Sequence, residues 1–311
     1  MRLVFLGTPA FAVPTLEAVA ESHDVLLVVT QPDRPKGRGQ ELAASPVKQA
    51  ATRLGLAVYQ PERVRRPEAQ AQLASLQPEI MVVVGYGQII PQSVIDIPPR
   101  GIVNVHASLL PKYRGAAPIQ WAIVNGEKRT GVTTMQINAG LDTGDILLAR
   151  VTEIDPDETA LDLSERLARM GAELLIETLD GLGRAAIAPQ KQDDTQASLA
   201  PILKKEDGTI RWTESAKAIH NLVRGLLPWP GAYTRFRGQL LHVWRARMTP
   251  DRSALPPGHI ITGPGFRVAS GDGTVLDILE VQLEGRKRMS AEAFANGQHL
   301  NANEILGEQL H

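Results

Sequence analysis

Asn104, His106 and Asp142 are the residues of this chain whose types and spacing suit chemistry. Asn104 and His106 sit two apart in the apolar run Ile102-Val103-Asn104-Val105-His106, and side chains two apart on a strand share a face. Asp142 falls in Asn138-Ala139-Gly140-Leu141-Asp142-Thr143-Gly144-Asp145, where two glycines permit a tight backbone path after a strand expected over 132–137. An amide N–H and an imidazolium or imidazole N–H are suitable donors to the negative oxygen of a tetrahedral intermediate. A carboxylate can orient the imidazole and help remove the proton that an attacking amine must lose. The set suits acyl transfer to an amine, which needs no covalent nucleophile. Taken singly, each residue also fits a structural role: a hydrogen-bonding histidine, a turn-forming asparagine at a strand end, an Asx turn at Asp142. Spacing alone does not bring Asp142 to His106.

The flanking residues decide between these readings. Asn104-Val105-His106, Ser108-Leu109-Leu110-Pro111 and Asp142-Thr143-Gly144 together resemble the signature of the folate-dependent formyltransferases. Tyr113-Arg114-Gly115-Ala116-Ala117-Pro118-Ile119-Gln120-Trp121 is similar to the branch of that family that formylates methionyl-tRNA or amino sugars. The resemblance implies a formyl donor, 10-formyltetrahydrofolate, a catalytic trio of Asn104, His106 and Asp142, and folate binding by Ser108, Leu109, Leu110 and Pro111.

Elements able to hold these residues are legible around them. Arg2-Leu3-Val4-Phe5-Leu6 reads as a strand turned by Gly7-Thr8-Pro9 into a helix, and short apolar runs then alternate with helical segments up to Ile80–Val84. That pattern predicts an α/β fold, a Rossmann-like doubly wound, mostly parallel sheet. Neither Gly7-Thr8-Pro9 nor Gly85-Tyr86-Gly87 completes a Gly-x-Gly-x-x-Gly pattern, which excludes NAD and FAD. In such sheets ligands sit beyond the carboxyl ends of the strands. Gly85, Tyr86, Gly87 and Ile89 follow one such end; by themselves they read as an ordinary βα loop, and with the resemblance they are expected to form a flat apolar slot for a pterin ring.

Gln31 to Gln40 packs three cations, two prolines and two glycines into ten residues, a composition that predicts an exposed irregular loop. It follows the second strand, at the same end of the sheet as the site, where Arg34, Lys36 and Arg38 are placed to hold phosphates. Residues 1–188 are expected to form the formyltransferase domain, closed by an amphipathic helix over 159–179. Residues 189–204 are polar and poor in large apolar side chains, and read as a linker. Residues 205–311 are expected to be a small OB-like β-barrel domain, from its short strands and Gly-containing turns, and the resemblance implies that it binds tRNA. There Arg235, Arg237, Arg245, Arg247 and Arg252 face one acid, Asp251, a stripe suited to a phosphate backbone. Trp212 to Tyr233 also resembles the C-terminal domain of the same branch.

Composition narrows the classes. The net charge of −1 announces no nucleic acid, and the absence of cysteine removes disulfides, thiolate nucleophiles and cysteine-based zinc sites. The seven histidines are scattered without a paired spacing, so no metal is expected. The first twenty residues read as strand, turn and helix rather than a secretion signal, and no apolar run reaches membrane-spanning length. A cytoplasmic monomer with no membrane partner is expected. The expected acceptor is the α-amino group of methionyl initiator tRNA, with an amino sugar nucleotide as the alternative. A formate-releasing hydrolase and a non-catalytic RNA-binding protein are weaker rivals, the latter opposed by the intact Asn-His-Asp set.

Overall fold

The computed structural model describes residues 1–36, 41–301 and 304–307. It divides into two compact units: residues 1–118, 129–153 and 164–200 form one, and 119–128, 154–163 and 201–311 the other. The second unit therefore draws two internal segments from within the sequence span of the first.

In the first unit, β1 (Arg2–Gly7), α1 (Val13–Ser22) and β2 (Asp24–Val29) lead to a hairpin of β3 (Arg34–Lys36) and β4 (Glu41–Ala43). Then follow α2 (Pro46–Arg53), β5 (Val58–Tyr59), α3 (Pro67–Ser75), β6 (Ile80–Val84), α4 (Gln92–Ile95) and β7 (Ile102–His106). β8 (Arg114–Gly115), α5 (Pro118–Val124), β9 (Arg129–Gln136), β10 (Ile146–Glu153), α6 (Ala160–Gly183) and β11 (Leu199–Ala200) come next, with α5 and the start of α6 reaching into the second unit's residues. The main sheet has the order β10-β9-β7-β6-β1-β2-β5. The five strands from β7 to β5 are parallel, and β9 and β10 extend the sheet antiparallel. This is the expected Rossmann-like arrangement. Leu3 to Leu6 and Ile80 to Val84 are buried without alternation, as strands covered on both faces must be. β10 alternates instead, as an edge strand does. Helix α2 starts where Ser45 accepts a hydrogen bond from the Lys48 N–H and Pro46 occupies the first turn.

Two sequence expectations change here. The segment 31–40 is not wholly irregular: Arg34–Lys36 pairs antiparallel with Glu41–Ala43, so the backbone polar groups satisfy one another despite the proline and charge content. Residues 37–40, Arg38 among them, lie outside the described residues. Residues 189–204 are not a separate linker: 189–200 belong to the first unit, where β11 pairs parallel with β8 and Gln190 bridges Ile146, and 201–204 belong to the second.

The second unit contains α7 (Ala216–Gly225), β12 (Ala232–Phe236), β13 (Gln239–Arg252), β14 (Ile260–Ile261), β15 (Phe266–Ala269), β16 (Thr274–Leu283), β17 (Met289–Ser290) and α8 (Ala291–Gln298). Its antiparallel sheet runs β12-β13-β16-β15-β14, with β17 added to β16 and an irregular register in β13 between Val243 and Ala246. Ile219 and Val223 of α7 and Phe294 of α8 complete the core over the inner face of this curled sheet. Phe294 meets Phe236 edge-on at 5.2 Å and stacks on Phe266 at 5.7 Å. No helix among the described residues is long and apolar enough to cross a membrane.

One buried histidine in this unit makes stability depend on pH. His220, on α7, is pushed below the usual histidine range by burial and by the Arg224 guanidinium, against the opposing pull of Asp157. The folded state therefore binds its proton less readily than the unfolded chain. The contribution is complete above the unfolded value of about 6.5 and is lost as pH falls through it toward the lower folded value. His220→Gln should flatten the fall in stability below about pH 6.5, read by urea unfolding at stepped pH; an unchanged slope rules this account out.

Candidate active site

β7 is buried along its whole length, Asn104 and His106 included. Asn104 is 8% exposed, and no protein group among the described residues hydrogen-bonds its side chain. A largely buried amide without a protein partner keeps its hydrogen-bonding capacity free. His106 Nε2 lies 2.9 Å from the main-chain oxygen of Tyr113. A carbonyl only accepts, so Nε2 carries the proton and Nδ1 is turned the other way, 3.7 Å from Asp142 Oδ2. That separation exceeds a hydrogen bond, and charge attraction across it arises only when Nδ1 is protonated as well. Tyr113, not Asp142, fixes the imidazole ring.

Bringing Asp142 to this place takes work that local sequence does not display. β9 runs antiparallel to β7, with Gln136 opposite Val103 and Thr133 opposite His106. The loop after β9 thus leaves from the end where β7 begins and must return along the sheet. Asp142 adopts a left-handed backbone (φ +51°), and its Oδ2 accepts from the Gly115 N–H at 2.8 Å. Gly144 packs against Gln136: a Cβ there would stand 1.6 Å from the Gln136 carbonyl oxygen. Gly115 is as tightly held, with φ +124° and room for no Cβ beside the Ala200 oxygen at 2.6 Å. The Gln192 amide donates to the Asp142 carbonyl at 2.8 Å and to the Gly144 carbonyl at 2.7 Å. Gln192 was not legible as a site residue, because it lies in a polar segment with no periodicity and acts 50 positions away.

The remaining expected ligand residues divide. Ser108 is fully buried, and its hydroxyl donates to the Lys112 carbonyl at 2.6 Å, so it holds the 108–112 turn. Thr133 Oγ1 donates to the Ser108 carbonyl and accepts from the Leu110 N–H, which docks that turn on β9. Leu110 is buried, whereas Leu109 and Pro111 keep partial exposure. Val83 pairs with Asn104, so the Gly85–Ile89 loop opens beside the end of β7. Gly85 and Gly87 are exposed and Ile89 is 91% exposed. Tyr86 differs from expectation: its ring is buried among Val4, Leu6, Val29, Met81 and Val83, and burial pushes its phenol up. It offers the loop only its main chain, whose oxygen accepts from Thr8 Oγ1 and Gln31 Nε2.

The base of the β3–β4 hairpin is tied to this loop. Gln60 Nε2 donates to Gln31 O and Asp33 Oδ1, and Gln88 Nε2 donates to Gln31 Oε1. Hydrogen bonds from Lys48 and Gln60 hold the Asp33 carboxyl below its usual range. Arg34 is exposed, and among the described residues no carboxylate pairs with it. No group of metal-binding side chains occurs among the described residues.

A family model described as formyl transferase matches residues 1–179, and one described as formyl transferase, C-terminal domain, matches residues 202–299. The chain belongs to the formyl transferase family. It is 65% identical, over 99% of both chains, to the methionyl-tRNA formyltransferase of Solibacter usitatus. It is 56% identical, again over 99% of both, to that of Koribacter versatilis. In fold it is similar to a crystal structure of an N-formyltransferase from Helicobacter canadensis in complex with folinic acid and dTDP-3-aminofucose. That match has a TM-score of 0.69 at 20% identity and covers 89% of this chain and 98% of the other.

In this family member the expected arginine stripe of the second unit is partly neutralised. Arg237 pairs with Glu304, Arg247 with Asp277, Arg267 with Asp251 and Arg288 with Glu280. Arg237 also lies in the turn after β12 with φ +48°, so it does not share a strand face with Arg235. Arg235, Arg245 and Arg252 are exposed and have no acid partner among the described residues.

Proposed function

We propose that this chain transfers a formyl group from 10-formyltetrahydrofolate to the α-amino group of methionyl initiator tRNA. The observation that carries the choice of acceptor is the full-length likeness to methionyl-tRNA formyltransferases, against a likeness in fold alone to an enzyme solved with an amino sugar nucleotide. The chemistry rests on the face of β7. The Asn104 amide is placed to donate to the formyl oxygen as it gains charge during attack, and His106 joins it through Nδ1–H when its ring is protonated on both nitrogens. Asp142 faces the same edge and is assigned to relaying the amine proton toward the donor nitrogen that leaves. An esterified amino acid has an amine less basic than the free α-amino group of about 7.7–8.0, so a useful fraction is uncharged at neutral pH.

The donor fits the residues present. The exposed Gly85-Tyr86-Gly87 backbone beside Ile89 suits a flat ring, and the loop opens level with Asn104 and His106. Ser108 to Pro111 contribute through the turn that Ser108 holds and the partly exposed Leu109 and Pro111. Arg34, Lys36 and Arg38 are assigned to phosphates of the acceptor stem, and residues 205–311 to further tRNA contact. The enzyme is proposed to act in the cytoplasm as a monomer, without a metal.

The test is formyl transfer to methionine-charged initiator tRNA beside elongator tRNA, free methionine and an amino sugar nucleotide. Selective transfer to the initiator is expected; transfer only to the sugar would overturn the acceptor. Replacing Arg34, Lys36 and Arg38 together by alanine should lower kcat/KM for tRNA by about 10-fold or more. It should also reduce the salt slope by about one per lost phosphate contact and leave the donor KM unchanged. An unaltered salt slope would remove the loop from the interface.

A further inference from the structure

We infer that Gln192, held by Arg114, is a positioning residue that sets the place of the Asp142 carboxylate against His106. This rests on the reaction proposed above and adds residues to it that no part of that proposal uses. The Gln192 side chain is saturated. Its two N–H groups serve the Asp142 and Gly144 carbonyls, and its oxygen accepts from Arg114 Nε at 3.0 Å and Nη2 at 2.7 Å. The Arg114 guanidinium is 8% exposed, and its Nη2 also meets Asp194 Oδ1 at 2.7 Å. A planar fork held on two sides fixes the amide in one orientation, with its donors toward the loop.

Three consecutive residues, Tyr113, Arg114 and Gly115, hold His106, Gln192 and Asp142. Tyr113 supplies the carbonyl that orients His106, Arg114 grips Gln192, and the Gly115 N–H holds the Asp142 carboxylate. The segment carrying Gln192 is itself tied to them, because the Tyr113 N–H donates to Ser198 Oγ and the Arg114 N–H to Ser198 O, both at 2.9 Å. Within the loop, Asn138 Oδ1 accepts from Gly140 N–H and Thr143 Oγ1, bonds that shape the turn without tying it to the sheet. A left-handed aspartate persists when its surroundings over-determine it, and Gln192 supplies that constraint at the peptide of Asp142 itself. The carboxylate and the main chain of Asp142 are thus fixed from two directions, by Gly115 and by Gln192.

Two variants test this. Gln192→Met keeps the length and loses all four hydrogen bonds. Gln192→Glu keeps the acceptor for Arg114, loses both donors to the loop and turns a carboxylate oxygen toward the Asp142 and Gly144 carbonyls. Each is expected to lower kcat by about 10- to 100-fold, as misplacement of a catalytic group by about 1 Å can. The KM values for donor and tRNA should stay within about threefold, since neither variant touches bound substrate. In an Asp142→Asn background the same substitutions should lower kcat by less than about threefold further, because Gln192 acts through Asp142. Full multiplication of the effects would overturn the inference, and so would unchanged kcat in folded single variants. Wild-type protein assayed alongside separates the two levels. Absence of transfer there would overturn the reaction and the inference together, whereas transfer with multiplying effects would overturn the role of Gln192 alone.

Discussion

His106→Ala is expected to lower the turnover of formyl transfer by roughly 100-fold or more, about 2.7 kcal/mol of transition-state stabilisation. Asp142→Asn should do the same. The physical basis is the burial of the groups. His106 and Asn104 are 6% and 8% exposed, so water cannot take over their role at a developing charge. His106 Nε2 is engaged with Tyr113, so in the proposed reaction only Nδ1, once protonated, is left to meet substrate. Asn104→Ala should fall in the same range, since its amide has no structural duty to the protein that the loss would expose. The check is saturating kinetics with charged initiator tRNA, paired with donor binding by calorimetry. Binding that survives while turnover collapses supports the assignment. Near-normal turnover in either the His106 or the Asp142 variant would sink it.

Gly144→Ala is the second large expected effect, and it arises from packing rather than chemistry. The added carbon would stand 1.6 Å from the Gln136 carbonyl oxygen, which is backbone and cannot rotate aside. The loop must lift, costing about 1–3 kcal/mol of stability and carrying Asp142 off its place, for a loss of activity on the order of 100-fold. Gly140→Ala is the internal control. A Cβ there meets the Thr143 side chain, which can turn away, so its effect should be several-fold smaller. Thermal melts and turnover measured on both variants decide the matter; equal effects would mean that the contact with Gln136 is not what fixes the loop.

The pieces of this site were visible in sequence to different depths. Asn104 and His106 could be placed on one face because strand alternation is a local rule, and β7 obeys it. The parallel core was legible because runs such as Ile80–Val84 are apolar without interruption. The meeting of Asp142 with His106 was not derivable from spacing, since it depends on a loop that doubles back and on glycines whose neighbours are remote. Gln192 was hidden for a related reason. Its partners are backbone carbonyls and an arginine 78 residues away, and nothing in Lys191-Gln192-Asp193 distinguishes it from an ordinary polar stretch. Arg34 to Lys36 misled through composition: proline and charge argued for an irregular loop, yet pairing with Glu41–Ala43 satisfies the backbone. In the arginine stripe, acids distant in sequence neutralise cations that local counting left unpaired.

The interrupted ownership of the chain bears on how such a protein can be rearranged by recombination. Arg224 of α7 donates to the carbonyls of Asp155 and Glu158, and His220 meets Asp157 at 3.4 Å. Gly225 lies so close to Ile123 and Val124 that an added carbon would stand 2.9 Å from Val124. A crossover near residue 200 would deliver α7 and its sheet without the stretches 119–128 and 154–163 on which they close. The C-terminal half is therefore not an interchangeable cassette. Inheriting a different one requires matching replacements at two places deep inside the coding sequence of the other half, which ties the two halves to a shared history.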